Sequence, residues 1–197
     1  MQLKIRMILL IVAVFSGTAS LFSQNRYLMV VDVQSQFYSD PALKEGADEM
    51  LKNINLLIGQ THPDKVIYVL GTGKVLSISL KGIKVLPMTT TPEADSALKI
   101  VNDQFFTKTE GDCFTLDSLN AFLAAREVKD ILLVGLMAEE CIFNTAIGGK
   151  IRGYNITVIP EALLSRSETK KGRALQKMEK KGVGILTLDQ IMKEKQN

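Results

Sequence analysis

Lys129-Asp130-Ile131-Leu132-Leu133-Val134-Gly135-Leu136-Met137-Ala138-Glu139-Glu140-Cys141-Ile142 is the stretch that decides the fold. A short apolar run of buried-strand character ends at Gly135, and a helix is expected to open near Glu139. Cys141 therefore falls at or inside the first turn of that helix. Unpaired N–H groups and the positive end of the helix dipole favour a thiolate there, the reactive form of cysteine. Glu139 and Glu140 act against ionisation, because negative neighbours disfavour it. A nucleophile at this position needs a cation or a base from elsewhere in the chain.

Working outward, apolar runs alternate with helical patterns. Strands are expected at Tyr27–Val33, Val66–Leu70, a short run ending near Thr107, Ile131–Val134, Ile156–Ile159 and Gly184–Thr187. Helices are expected over Glu45–Ile58, Leu116–Arg126, the Cys141 segment, Thr169–Lys180 and Leu188–Lys195. Met50, Leu51, Ile54, Leu57 and Ile58 have the spacing of one helix face. Strands apolar on both faces, each followed by a helix, predict an α/β domain: a doubly wound, Rossmann-like six-stranded parallel sheet with helices on both faces. Gly71 to Pro92, with Gly71, Gly73 and Gly82 among alternating apolar residues, reads as a hairpin or a bent excursion.

The 197 residues suit one domain with a full core. Met1 to Ser23 has a basic start at Lys4 and Arg6, an apolar run from Met7 to Phe15, then small and polar residues. That is the layout of a secretory signal peptide, with cleavage after Ser20 or Ser23. The expected organisation is thus a signal over 1–23 and one domain over 24–197, with the product periplasmic or extracellular and without stable membrane insertion after cleavage. The formal net charge of +3 falls to +1 once Lys4 and Arg6 are removed, which gives no reason to invoke nucleic acid. The basic stretch from Lys170 to Lys181 reads as a solvated helix face.

In open α/β sheets, ligands bind beyond the carboxyl ends of the strands, where strand order reverses. Asp32, Lys108 and Cys141 each stand at such an end. Singly, these are a turn residue, a surface charge and a small buried hydrophobe. Together they make chemical sense. Asp32 can take the thiol proton, the Lys108 ammonium can stabilise the thiolate, and the thiolate can attack a carbonyl carbon. The single histidine, His62, precedes Pro63 at the opposite edge and reads as a turn residue. Without a histidine cluster, no zinc or iron site is expected and no cofactor is called for. Gly71-Thr72-Gly73-Lys74-Val75 lacks the spacing and the hydroxyl of a phosphate loop.

These residues resemble the isochorismatase-like cysteine hydrolases, the superfamily that includes nicotinamidases and carbamoyl amidohydrolases. The resemblance runs from Tyr27 to the C-terminus and rests on an ordered set of motifs. They are Val31-Asp32-Val33-Gln34-Ser35-Gln36-Phe37, Thr107-Lys108 with Phe114, Gly135 to Cys141, Gly153 to Val158, and Gly182 to Thr187. It implies Asp32 as proton acceptor, Lys108 as thiolate stabiliser and Cys141 as nucleophile. It further implies a cis peptide between Leu136 and Met137, and an oxyanion hole from the N–H groups of Met137 and Cys141. Members often oligomerise, so a homo-oligomer is an expectation of the resemblance.

The departures concern the pocket. Nicotinamidases of the superfamily hold a metal through Asp-x-His after the second strand, where this chain has Leu70-Gly71-Thr72-Gly73. Ala138, Glu140 and Asp112-Cys113-Phe114 also depart from the usual pattern. The expected function is a metal-independent hydrolase of a small amide, carbamoyl or related C–N compound. Two readings stay open beside it: a binding or scaffold protein that keeps the fold, and a hydrolase gated by a Cys113–Cys141 disulfide.

Overall fold

The computed structural model describes residues 26–72, 74–79, 82–87 and 92–194. The signal-like segment lies outside the described residues. Six strands, β1 (Arg26–Val31), β2 (Val66–Gly71), β5 (Phe105–Lys108), β6 (Asp130–Gly135), β7 (Asn155–Leu163) and β8 (Gly184–Ile185), form one sheet in the order β5-β2-β1-β6-β7-β8. All five pairings are parallel. Between β2 and β5, the strands β3 (Lys74–Ser79) and β4 (Gly82–Pro87) pair antiparallel, the hairpin alternative for that stretch. Among the described residues, no helix is long and apolar enough to cross a membrane.

Alternation along the central strands builds two cores. Met29 and Val31 of β1, Ile67 and Val69 of β2 and Leu133 of β6 bury one face. That face is covered by α2 (Asp117–Ala125), α3 (Phe143–Ile151) and α4 (Glu168–Lys180), through Leu119, Leu123, Ala146 and Met178. Leu28, Val30, Tyr68, Leu132 and Val134 bury the other face against α1 (Pro41–Gln60) and α5 (Leu188–Glu194). The α1 contribution is Met50, Ile54, Leu57 and Ile58, the stripe visible in the sequence. Burying a side chain of this size contributes about 1.5–3 kcal/mol, so the two layers fix which edge of each strand faces solvent.

Boundaries differ from the sequence reading for local reasons. β1 stops at Val31 rather than Val33, because Asp32 has φ +58 and turns the chain out of the sheet. α1 starts at Pro41, four residues early: Asp40 caps it by accepting from the Ala42 N–H, and proline at the first position suits a helix start. Asp95 accepts a 2.6 Å hydrogen bond from Tyr38 and lies outside any helix.

The chain leaves β1 toward β2 and β5, then returns to the other side of β1 as β6. The reversal point therefore lies between the ends of β1 and β6. Gly135 makes that junction possible: its φ is +121, and a Cβ there would stand 2.0 Å from the Val31 carbonyl oxygen. Gly153 also has positive φ, +86, yet a Cβ there meets nothing within 4 Å. Gly135→Ala should destabilise by about 3 kcal/mol or more, whereas Gly153→Ala should cost about 1–2 kcal/mol. Urea unfolding of both variants checks this; equal losses would mean that the β1–β6 approach is not constraining.

Candidate active site

Asp32 follows β1, Lys108 ends β5 and Cys141 follows β6, and the structure brings all three together. Lys108 Nζ lies 2.7 Å from Asp32 Oδ2 and 3.3 Å from Cys141 Sγ. It also donates to the Glu110 carbonyl at 3.2 Å. Lys108 and Asp32 are 3% and 4% exposed. Burial alone would lower the ammonium's pKa, but the Asp32 charge, with lesser help from the neighbouring thiols, holds it above the ordinary lysine value. Removing either member would strand a buried charge, a loss of about 3–5 kcal/mol.

The Asp32 carboxylate is placed by backbone and space. Its left-handed φ is a conformation that Asp tolerates better than most residues. Gly71 stands against it: a Cβ there would lie 2.8 Å from Asp32 Oδ1. Gln34, fully buried, braces the same point, its side-chain amide donating to the Gly71 carbonyl at 3.2 Å and accepting from the Gly71 N–H at 2.8 Å. Asp32 Oδ1 receives no conventional hydrogen bond among the described residues. The carboxylate nonetheless acts on the Cys141 thiol, both by charge and as a hydrogen-bond acceptor.

Cys141 sits in a wide turn of π type, Ala138–Ile142, closed by the Ile142 N–H on the Met137 carbonyl at 3.2 Å and continuing into α3. The peptide joining Leu136 and Met137 is cis. The Met137 N–H has no hydrogen-bond partner among the described residues. The sequence sets a helix start and two acids in opposition at this thiol. In the structure, burial first, then the Asp32 charge, push the thiol up to about 11, against the lowering effect of Lys108. The two acids are engaged elsewhere. Glu139 turns to the Ser165 hydroxyl, at 2.7 Å, and the Arg166 N–H, at 3.2 Å. Glu140 pairs with the Arg166 guanidinium through both oxygens. Arg166, which carried no local signal in the sequence, thus engages both acids beside the thiol.

Cys113 and Cys141 are both free thiols. Cys113 is fully buried and accepts from Thr145 Oγ1 at 3.3 Å, and burial pushes its thiol up to about 12. The disulfide alternative therefore has no counterpart in this structure. His62 takes the expected turn role, its Nδ1 accepting from the Asp64 N–H at 3.3 Å at the start of β2.

The three side chains line a cavity of about 410 Å³ with Phe37, Thr72, Met137 and Arg166. That volume suits a small molecule. A larger groove of about 660 Å³, between α1 and α4, contains none of the three.

A thiol, an ammonium and a carboxylate meet at the switch point of a parallel sheet, and the fold defines the class: an α/β protein with a six-stranded parallel sheet. Residues 26–190 match the Isochorismatase domain, and the chain belongs to that family, whose members are hydrolases. Isochorismatase domain-containing protein 2A of Mus musculus is 30% identical over 82 residues, covering 41% of this chain and 40% of its own. Isochorismatase domain-containing protein 2 of Xenopus laevis is 26% identical over 87 residues, covering 44% and 42%. The chain thus spans about two fifths of these relatives. Among solved structures it resembles the Pyrococcus horikoshii pyrazinamidase in complex with zinc, at 22% identity and TM-score 0.67, over 83% of this chain and 99% of that one. An isochorismatase-like hydrolase from Alkaliphilus metalliredigens, at 14% identity, gives 0.69 over 86% and 98%. These likenesses show the fold.

Among the described residues the donor set does not fit zinc: no three His, Cys, Asp or Glu are grouped to hold a metal. Of the cavity's three acids, Asp32 is bound by Lys108 and Glu140 by Arg166, which leaves Glu110 as a single carboxylate there.

Alkylation tests the electrostatics. Wild-type Cys141 should react slowly at pH 7–8, speeding about tenfold per pH unit toward its pKa. Asp32→Asn, which deletes the anion and leaves Lys108 facing the thiol, should lower that pKa and accelerate labelling at pH 7. Cys113 should stay unlabelled without denaturant. Mass-mapped labelling rates decide; an Asp32→Asn thiol titrating as high as wild type would break this account.

Proposed function

We propose that the chain is an exported, metal-independent cysteine hydrolase acting on a small amide, carbamoyl or related C–N compound. The observation that carries the reading is the position of Lys108 Nζ, within hydrogen-bonding distance of both Asp32 and Cys141, in a cavity of small-molecule size. In the resting site the proton stays on sulfur. As the substrate carbonyl approaches, Asp32 takes that proton and Lys108 remains charged beside the forming thiolate. Sulfur bonds to the carbonyl carbon, and the oxygen acquires the negative charge. The N–H groups of Met137 and Cys141 are the donors for that oxyanion, and such preorganised donors are often the largest catalytic term. The C–N bond then breaks, and the amine leaves with the proton held by Asp32. Water, deprotonated by Asp32, cleaves the thioester and restores the thiol. No step is assigned to a metal.

The amidase names carried by similar structures, among them a nicotinamidase from Staphylococcus aureus at 22% identity, support an amide as the reacting group. The signal-like segment supports export.

Ammonia release from a panel of small amides and carbamoyl compounds should identify a substrate. Cys141→Ala and Lys108→Met should each lower kcat by about 10³-fold or more. A covalent acyl adduct on Cys141 should appear by intact mass when turnover is stopped with acid. Full turnover by Cys141→Ala would sink the proposal. N-terminal sequencing of protein exported from a Gram-negative host should begin at Leu21 or Gln24; a retained Met1 would refute export.

A further inference from the structure

Arg166 borders two adjoining concavities. One is the cavity containing Cys141; the other, about 350 Å³, runs along α4. Lys170, Arg173 and Lys177 line this second groove, over a floor that includes Phe143 and Ala174. Their spacing, i, i+3 and i+7, sets them on one face of the helix. None of the three makes an ion pair among the described residues. The groove's acids, Glu139 and Glu140, are both engaged by Arg166. Four cations therefore face two carboxylates, and the uncompensated charge belongs to α4.

The cavity with the thiol has the opposite balance. Asp32, Glu110 and Glu140 stand against Lys108 and Arg166, a net charge of −1. A substrate spanning both spaces fits best with an uncharged carbonyl end at Cys141 and an anion on α4. The aliphatic or aromatic part between them would cross Phe143. The solvated helix face of the sequence reading is here one wall of a groove that opens beside the thiol.

We propose that Lys170, Arg173 and Lys177 form a subsite for an anionic group, carboxylate or phosphate, at the far end of the substrate. The substrate class is then an amide or carbamoyl compound with a distal acid. This rests on the hydrolase reading and narrows it.

The test is equilibrium binding to the full chain carrying Cys141→Ala, which cannot consume the probes. The probes are 6-acetamidohexanoate, its uncharged methyl ester and 5-acetamidopentyl phosphate, measured by titration calorimetry. At least one anion should bind about tenfold tighter than the ester, an advantage that shrinks as salt is raised. The larger gain of the two names the anion. Lys170→Gln/Arg173→Gln/Lys177→Gln should abolish the advantage, while Lys180→Gln/Lys181→Gln, on the same segment outside the groove, should leave it intact. All these positions are exposed, so folding is not at issue. Equal binding of anion and ester, or an advantage that survives the triple substitution, overturns the subsite. Release of acetate and the free amine from the same probes by the unmodified chain separates the two ideas. An anion advantage with no hydrolysis of any amide keeps the groove and removes the hydrolase reading. Hydrolysis with no anion advantage does the reverse.

Discussion

The buried pairing of Lys108 with Asp32 sets the terms for everything at the carboxyl edge of the sheet. Two charged groups, each almost without solvent contact, have lost their hydration and must find it in one another. β5 is held beside β2, and β2 beside β1, so the partners meet across three strands. Every nearby irregularity serves that meeting. Asp32 leaves the sheet through a left-handed residue, Gly71 leaves room for its carboxylate, and Gln34 fixes Gly71 through both amide atoms. Cys141 then arrives from the other side of β1, on a turn that Gly135 alone can feed.

Arg166 plays the complementary part on the solvent side. Its backbone and side chain together occupy Glu139 and Glu140, so the acids adjacent to Cys141 in sequence are paired rather than free. The thiol's proton affinity is then governed by burial, Asp32 and Lys108 rather than by its sequence neighbours. The loop carrying Arg166 leaves the end of β7 and leads into α4, so this residue couples the floor of one concavity to the wall of the next.

Much of this was legible in the chain before any coordinates. Strands buried on both faces have continuous apolar sequences, and their alternation with helices left little choice of architecture; the stripe on α1 named its own buried face. Asp32, Lys108 and Cys141 could be picked out because a strand end is a definable place in a sequence. Illegible were the effects of residues distant along the chain. Nothing local to Arg166 announces that it reaches two glutamates 26 and 27 positions earlier. Gln34 sits in a quoted motif, but its grip on Gly71 depends on strand packing. The protonation of Cys141 stayed open in the sequence for the same reason: helix position and adjacent acids are visible there, whereas burial against a carboxylate is not.

One consequence of the ammonium, carboxylate and thiol lying together concerns charge conservation. Before any reaction the set carries one plus and one minus; with the proton moved from sulfur to Asp32 it still carries one plus and one minus. The transfer relocates an anion by a few ångströms without creating or destroying net charge, so the poorly solvating surroundings exact little for it. Under the proposed chemistry the site would carry its own proton reservoir.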